Sequence, residues 1–162
     1  MDNISLEDFE LGYLPVEALS LFPNITFLSL SKTKLKTGFE ALEILKKLQH
    51  IFLDENGIEE FPNFSEFPNL EEVSLSKNRI AKISLDSYKK SDGSGYISLP
   101  ITLIHLDENQ IETIDDNFYE VFPNLGVLNL KANRLQERPK FLDSYNTEEV
   151  TIDCEDNPFL NK

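Results

Sequence analysis

The chain has 162 residues, 29 acids against 15 lysines and arginines, and a formal net charge of −14. This length suits one domain with a sizeable core. The acidity argues against nucleic acid and anionic membrane as partners, because both call for a basic footprint. No apolar run reaches membrane-spanning length, so no membrane insertion is expected.

The opening stretch, MDNISLEDFE, is acidic and lacks the basic-then-apolar order of a signal peptide. The single cysteine, Cys154, excludes an intrachain disulfide framework. Together these predict a reducing, intracellular setting, cytoplasmic or nuclear. Three triplets point the other way. Asn3-Ile4-Ser5, Asn24-Ile25-Thr26 and Asn63-Phe64-Ser65 fit the acceptor pattern for N-glycosylation.

Along the chain one spacing recurs. Ile25, Leu28, Leu30, Thr33 and Leu35 set it, and Leu48, Ile51, Leu53, Asn56 and Ile58 repeat it. Leu70, Val73, Leu75, Asn78 and Ile80 follow, then Ile101, Ile104, Leu106, Asn109 and Ile111, then Leu125, Leu128, Leu130, Asn133 and Leu135. The ends fit loosely. Ile4, Leu6 and Leu11 fall in register with Phe9 at the Asn place, and Ile152, Cys154, Asn157 and Phe159 do so with Glu149 replacing the first Leu. Repeats therefore start near 1, 25, 48, 70, 101, 125 and 149, within a single domain over 1–162.

Each repeat alternates apolar and polar residues with period two, as a half-buried strand does. The residues between strands suffice for the crossover that parallel strands need. Helical turns are expected within 38–47 and 115–122, and irregular chain over 61–68, which holds two prolines. The interval after Ile83 is about eight residues over the others, and its insertion at about 88–96, with Ser91, Asp92, Gly93, Ser94 and Gly95, reads as a flexible polar tip.

This pattern resembles the leucine-rich repeat family over nearly the whole chain. The resemblance implies an α/β right-handed solenoid. A curved parallel sheet of about seven strands would form the concave face, with helical or irregular segments behind it. It also implies a protein-recognition module with no catalytic motif and no cofactor. The cysteine-rich caps of many extracellular members are absent. The physical reading agrees, since one unit could not bury its own apolar face and stacking buries the Leu rows as ladders. Asn56, Asn78, Asn109, Asn133 and Asn157 form a structural column, because a buried amide both donates and accepts for the turn it sits in.

The strand positions between the ladder residues face solvent. They hold twelve acids, among them Asp54, Glu55, Glu72, Asp107 and Glu108, and three bases, Lys32, Lys77 and Lys131. The acidity serves solubility and edge protection, or it steers a basic protein partner into the face. Phe27, His50, Phe52, Leu103, His105 and Val127 interrupt the same face, as interface anchors do. Lys32, Glu55, Lys77 and Glu108 alternate in sign along one row.

Catalysis finds no footing in these residues. His50 and His105 lie two strands apart in different columns, Cys154 sits at a ladder position, and Asp153, Glu155 and Asp156 lack a ligand-spacing motif, so no metal is expected. The expected function is a non-catalytic adaptor or regulator that binds a basic protein through the acidic concave face. The alternative is a secreted or surface recognition fragment of an immune or pathogen protein.

Overall fold

The computed structural model describes residues 2–14 and 16–161. Met1, where the first repeat starts, lies outside them, as does the side chain of Asp2. Seven parallel strands form one sheet: β1 (Asp2–Ser5), β2 (Ile25–Ser29), β3 (His50–Phe52), β4 (Glu72–Ser74), β6 (Leu103–His105), β8 (Val127–Asn129) and β9 (Thr151–Asp153), paired in that order. Two short strands, β5 (Lys82–Ile83) and β7 (Thr113–Ile114), pair separately behind it.

The register is that of the repeat. Leu28, Ile51, Val73, Ile104 and Leu128 are successive partners across the sheet, and all are buried. Leu30, Leu53, Leu75, Leu106 and Leu130 make the next buried row. Alternation with period two sends these rows to one side and leaves the residues between them on the other.

The residue just before the ladder position is left-handed in every repeat. Asp8, Lys32, Glu55, Lys77, Glu108, Ala132 and Asp156 have φ between 53° and 59°, and none is glycine. This conformation costs an L-residue roughly 1–2 kcal/mol. In six of the seven it turns the next side chain inward, Asp8 before Phe9 being the exception. The five Asn residues there are buried. The Asn78 amide donates to the carbonyls of Leu53 and Leu75, each at 3.0 Å, and its Oδ1 accepts from the N–H groups of Asn56 and Ile58. Asn109 and Asn133 donate likewise to the carbonyl three residues back and to its equivalent one repeat earlier. Asn56 and Asn157 do the same. Thr33 contributes its N–H and hydroxyl to Asn56 Oδ1. Phe9, at the same place in the first repeat, is 64 % exposed.

The return segments are shorter in helix than the spacing predicts. A 3-10 helix covers Phe39–Ile44 and one α-turn covers Phe118–Val121, while 61–68 is irregular. About a dozen residues must travel from one strand end to the next strand start, which leaves room for a single tight turn. Further turns occur at Val16–Leu19, Asp86–Tyr88, Lys140–Ser144 and Pro158–Asn161. Behind the sheet the aromatics stack on one another. Phe118 lies 4.7 Å from both Phe122 and Phe141, and Tyr88 lies 6.0 Å from Phe122.

The 88–96 insertion folds back on itself as a short hairpin with an exposed polar tip. Lys89 bridges Tyr96 in antiparallel fashion, and Lys90 N–H donates to the Gly95 carbonyl at 2.9 Å. Gly93 and Gly95 take positive φ, which closes the hairpin. Its base is anchored by buried Tyr88, whose hydroxyl donates to the Pro62 carbonyl and accepts from the Phe64 N–H, both at 3.0 Å.

Candidate functional site

Three rows of side chains make the open face of the sheet. The first runs Asn3, Phe27, His50, Glu72, Leu103, Val127, Thr151, and the second runs Ser5, Ser29, Phe52, Ser74, His105, Asn129, Asp153. The third, at the strand ends, holds Glu7, Asp54 and Asp107.

Strands β2 and β3 carry an aromatic patch on this face. Phe27 and Phe52 are half-buried, with ring centroids 5.2 Å apart, and the His50 ring lies 6.4 Å from Phe27. Three carboxylates bracket this patch, each held by a donor. Glu7 accepts from the Ser29 hydroxyl at 2.6 Å. Asp54 accepts from the Ser74 hydroxyl at 2.6 Å and the Ser76 N–H at 2.7 Å. Glu72 Oε2 lies 2.9 Å from His50 Nδ1.

Farther along, Asp107 accepts from the Ser76 hydroxyl at 2.6 Å and the Asn129 amide at 3.0 Å. Burial pushes the Asp54 carboxyl above its ordinary range, the charge of Asp107 adds to this, and the two hydrogen bonds oppose it. The serines that fix these carboxylates, Ser29 and Ser74, are themselves buried. Sequence reasoning passed over them, although their places opposite Phe52 and His105 were available from the spacing.

The site residues separate into groups. Phe27, His50, Phe52, Asp54, Glu72, His105 and Asp107 come together, with Leu103 and Val127 half-buried beside them. Glu55 and Glu108 do not join them. They sit on the left-handed rim, where Lys77 lies 3.9 Å from Glu55 and 4.0 Å from Glu108. Lys32 stands 3.7 Å from Asp8 on the same rim. At the last repeat Lys131 takes up Glu155 at 2.6 Å and Asp156 at 3.8 Å.

His50 and His105 are indeed on strands two apart, but the strand between them supplies Glu72 to both. His105 Nε2 lies 3.8 Å from Glu72 Oε1. Among the described residues no cluster of His, Cys, Asp and Glu is disposed to hold a metal ion. Cys154 is half-buried rather than enclosed in the core, and burial pushes its thiol up to about 11. In a groove on the far flank, by Ile114 and Pro139, Lys140 lies 3.5 Å from Asp116, and Arg138 reaches Asp143 outside the groove at 2.7 Å.

No family model matches the chain. Over 156 residues it is 29 % identical to keratocan of Bos taurus, a match that covers 91 % of this chain and 41 % of that protein. A leucine-rich repeat protein of Leptospira interrogans has the same fold over 93 % of this chain and 36 % of its own, with a TM-score of 0.71 at 23 % identity. The LRIM1/APL1C complex includes a chain matched over 78 % of this one and 23 % of its own, with a TM-score of 0.65 at 21 % identity. The chain folds as a leucine-rich repeat solenoid.

As a leucine-rich repeat solenoid it spans about two fifths of the curated relative it matches. The relatives are mainly non-enzymatic. Keratocan is a secreted protein of the extracellular matrix, and this overturns the intracellular setting expected above. The reason is physical. The fold is closed by Leu rows and the Asn column, neither of which needs a disulfide, so the cysteine count carries no information on compartment. Among the described residues no helix is long and apolar enough to cross a membrane.

Proposed function

We propose that this leucine-rich repeat chain is a secreted or surface recognition module that binds a basic protein segment across strands β2 to β4 of its concave face. The observation that carries the reading is the Phe27–Phe52 pair bracketed by Glu7, Asp54 and Glu72. Half-buried aromatics offer anchoring area, and carboxylates already fixed by donors lose little freedom when a cation arrives. An arginine or lysine laid over the rings gains from the ring faces and from the carboxylates around them. The rim charges, already paired, add long-range steering more than contact energy. Kinship with a secreted matrix protein and the two-chain assembly of the LRIM1/APL1C neighbour support a role outside the cell and in protein association.

The test begins with capture from extracellular fluid on the immobilised protein. Surface plasmon resonance of the captured partner then compares wild type, Phe52→Ala and Asp54→Asn at two salt concentrations. Phe52→Ala should cost about 2 kcal/mol of binding through faster dissociation. Asp54→Asn and added salt should slow association. Unchanged kinetics in both variants would move the site off this face. Glycan occupancy at Asn3, Asn24 and Asn63, all exposed, is the companion check on secretion from a eukaryotic source.

A further inference from the structure

We infer that Glu72, held between His50 and His105, makes the concave face a pH-gated site that keeps a basic segment at neutral pH and releases it on acidification. The inference rests on the reading that this face binds a basic partner. The sequence contains two histidines, and both converge on one carboxylate. His50 reaches Glu72 Oε2 at 2.9 Å and His105 stands 3.8 Å from Oε1, so each carboxylate oxygen has its own imidazole. All three side chains are half-buried, which keeps their mutual field from being fully screened.

Imidazoles as a class change charge between about pH 5 and 8. With both neutral the trio carries one negative charge, and with both protonated it carries one positive charge. The centre of the face therefore swings by two charges while the rim stays acidic. The charged groups that face the imidazoles are carboxylates. Glu72 on β4 faces both, and Asp54 and Asp107 approach from the strand ends, with Asp54 in electrostatic reach of His105. The side chains nearest on the flanking strands carry no charge: Phe27 on β2, Ser74 on β4 and Asn129 on β8. Lys131, just past β8, is occupied by Glu155.

A basic side chain that binds Glu72 and lies over Phe27 competes with the imidazolium for both. Charged His50 would take the carboxylate and place a cation beside the Phe27 ring. By linkage, each proton that binding must expel lowers affinity up to about tenfold per pH unit. Expelling two protons gives a steeper fall than expelling one.

The probe is a fluorescein-labelled peptide of repeated Arg-Ser-Leu units, followed by anisotropy at fixed ionic strength from about pH 7.5 to about pH 5.5. Wild type should weaken at least about tenfold across that range, while His50→Gln/His105→Gln should change less than about threefold, because Gln keeps a donor to Glu72 but takes no proton. Phe52→Ala should weaken binding at every pH. Loss at Phe52→Ala with an unaltered pH profile in the double variant would overturn the gate and leave the binding face standing. Binding indifferent to Phe52→Ala, or no binding of the peptide, would overturn the face and the gate with it. A ligand-free arm reads the trio directly. In imidazole NMR spectra at neutral pH, Glu72→Gln should shift the ring resonances of both histidines, and resonances that do not move would overturn the gate.

Discussion

The backbone N–H of Asn56 donates to the side-chain oxygen of Asn78, one repeat along, at 3.1 Å, and both residues are buried. Each turn is thus closed partly by its neighbour's side chain. Asn78→Ala removes the acceptor for two N–H groups and the donor for the Leu53 and Leu75 carbonyls. It should destabilise by roughly 1–3 kcal/mol in urea unfolding, the cost of leaving buried groups unpaired. Asn63, exposed and bonded locally to Ser65, should tolerate the same change. Equal losses at the two positions would remove the column from the account of stability.

Leu75 lies fully buried in the middle of the solenoid. Leu75→Ala should cost about 2–5 kcal/mol, transfer and cavity together. A change within about half a kcal/mol would mean that the row relaxes around the gap, and calorimetry decides it.

Tyr88 ties the hairpin insertion to the preceding repeat through one hydroxyl that serves Pro62 and Phe64. Tyr88→Phe keeps the ring and strips both partners, so a loss of about 1–3 kcal/mol is expected. Hydrogen exchange should speed at the Phe64 amide before it speeds in the strands. Uniform acceleration would argue against a local tie.

Ala132 is left-handed with φ 53° and has no polar side chain to support that conformation. Ala132→Gly relieves the strain and loosens the unfolded chain, and the difference should raise stability by about 0.5 kcal/mol. Its N–H keeps its bond to the Glu155 carbonyl at 2.8 Å. A destabilised variant, measured by urea midpoint, would show that the strain had already been relaxed.

Asp54 is held above the ordinary carboxylate range, first by burial. The folded state therefore binds its proton more tightly than the unfolded chain, so this residue's contribution to stability falls as pH rises from the unfolded value through the folded one. Asp54→Asn keeps an oxygen for Ser74 and Ser76 and should flatten that part of the stability–pH curve. A curve unchanged by the substitution would place the titration elsewhere.

The sheet, its register and the buried rows were legible because a period-two alternation and an Asn at one fixed place are local signals that every repeat restates. From that spacing alone, Phe27 stands diagonal to Phe52 and beside His50, as the pairing has it. The short helical turns were less legible, since apolar spacing over 38–47 does not reveal how little chain is left for the return. Tertiary structure decided the rest. The left-handed row contains no glycine to announce it, and in five of its seven members the strain accompanies a buried Asn at the next position. Glu55 and Asp54 are adjacent in sequence, yet the turn between them sends one to the paired rim and brings the other to buried serine. His50, Glu72 and His105 come from three repeats, and the trio forms because strands about 4.8 Å apart let long side chains reach between neighbouring rows. Composition speaks to charge and to disulfides. Which carboxylate meets which imidazole depends on packing between repeats, and that is set only when the solenoid closes.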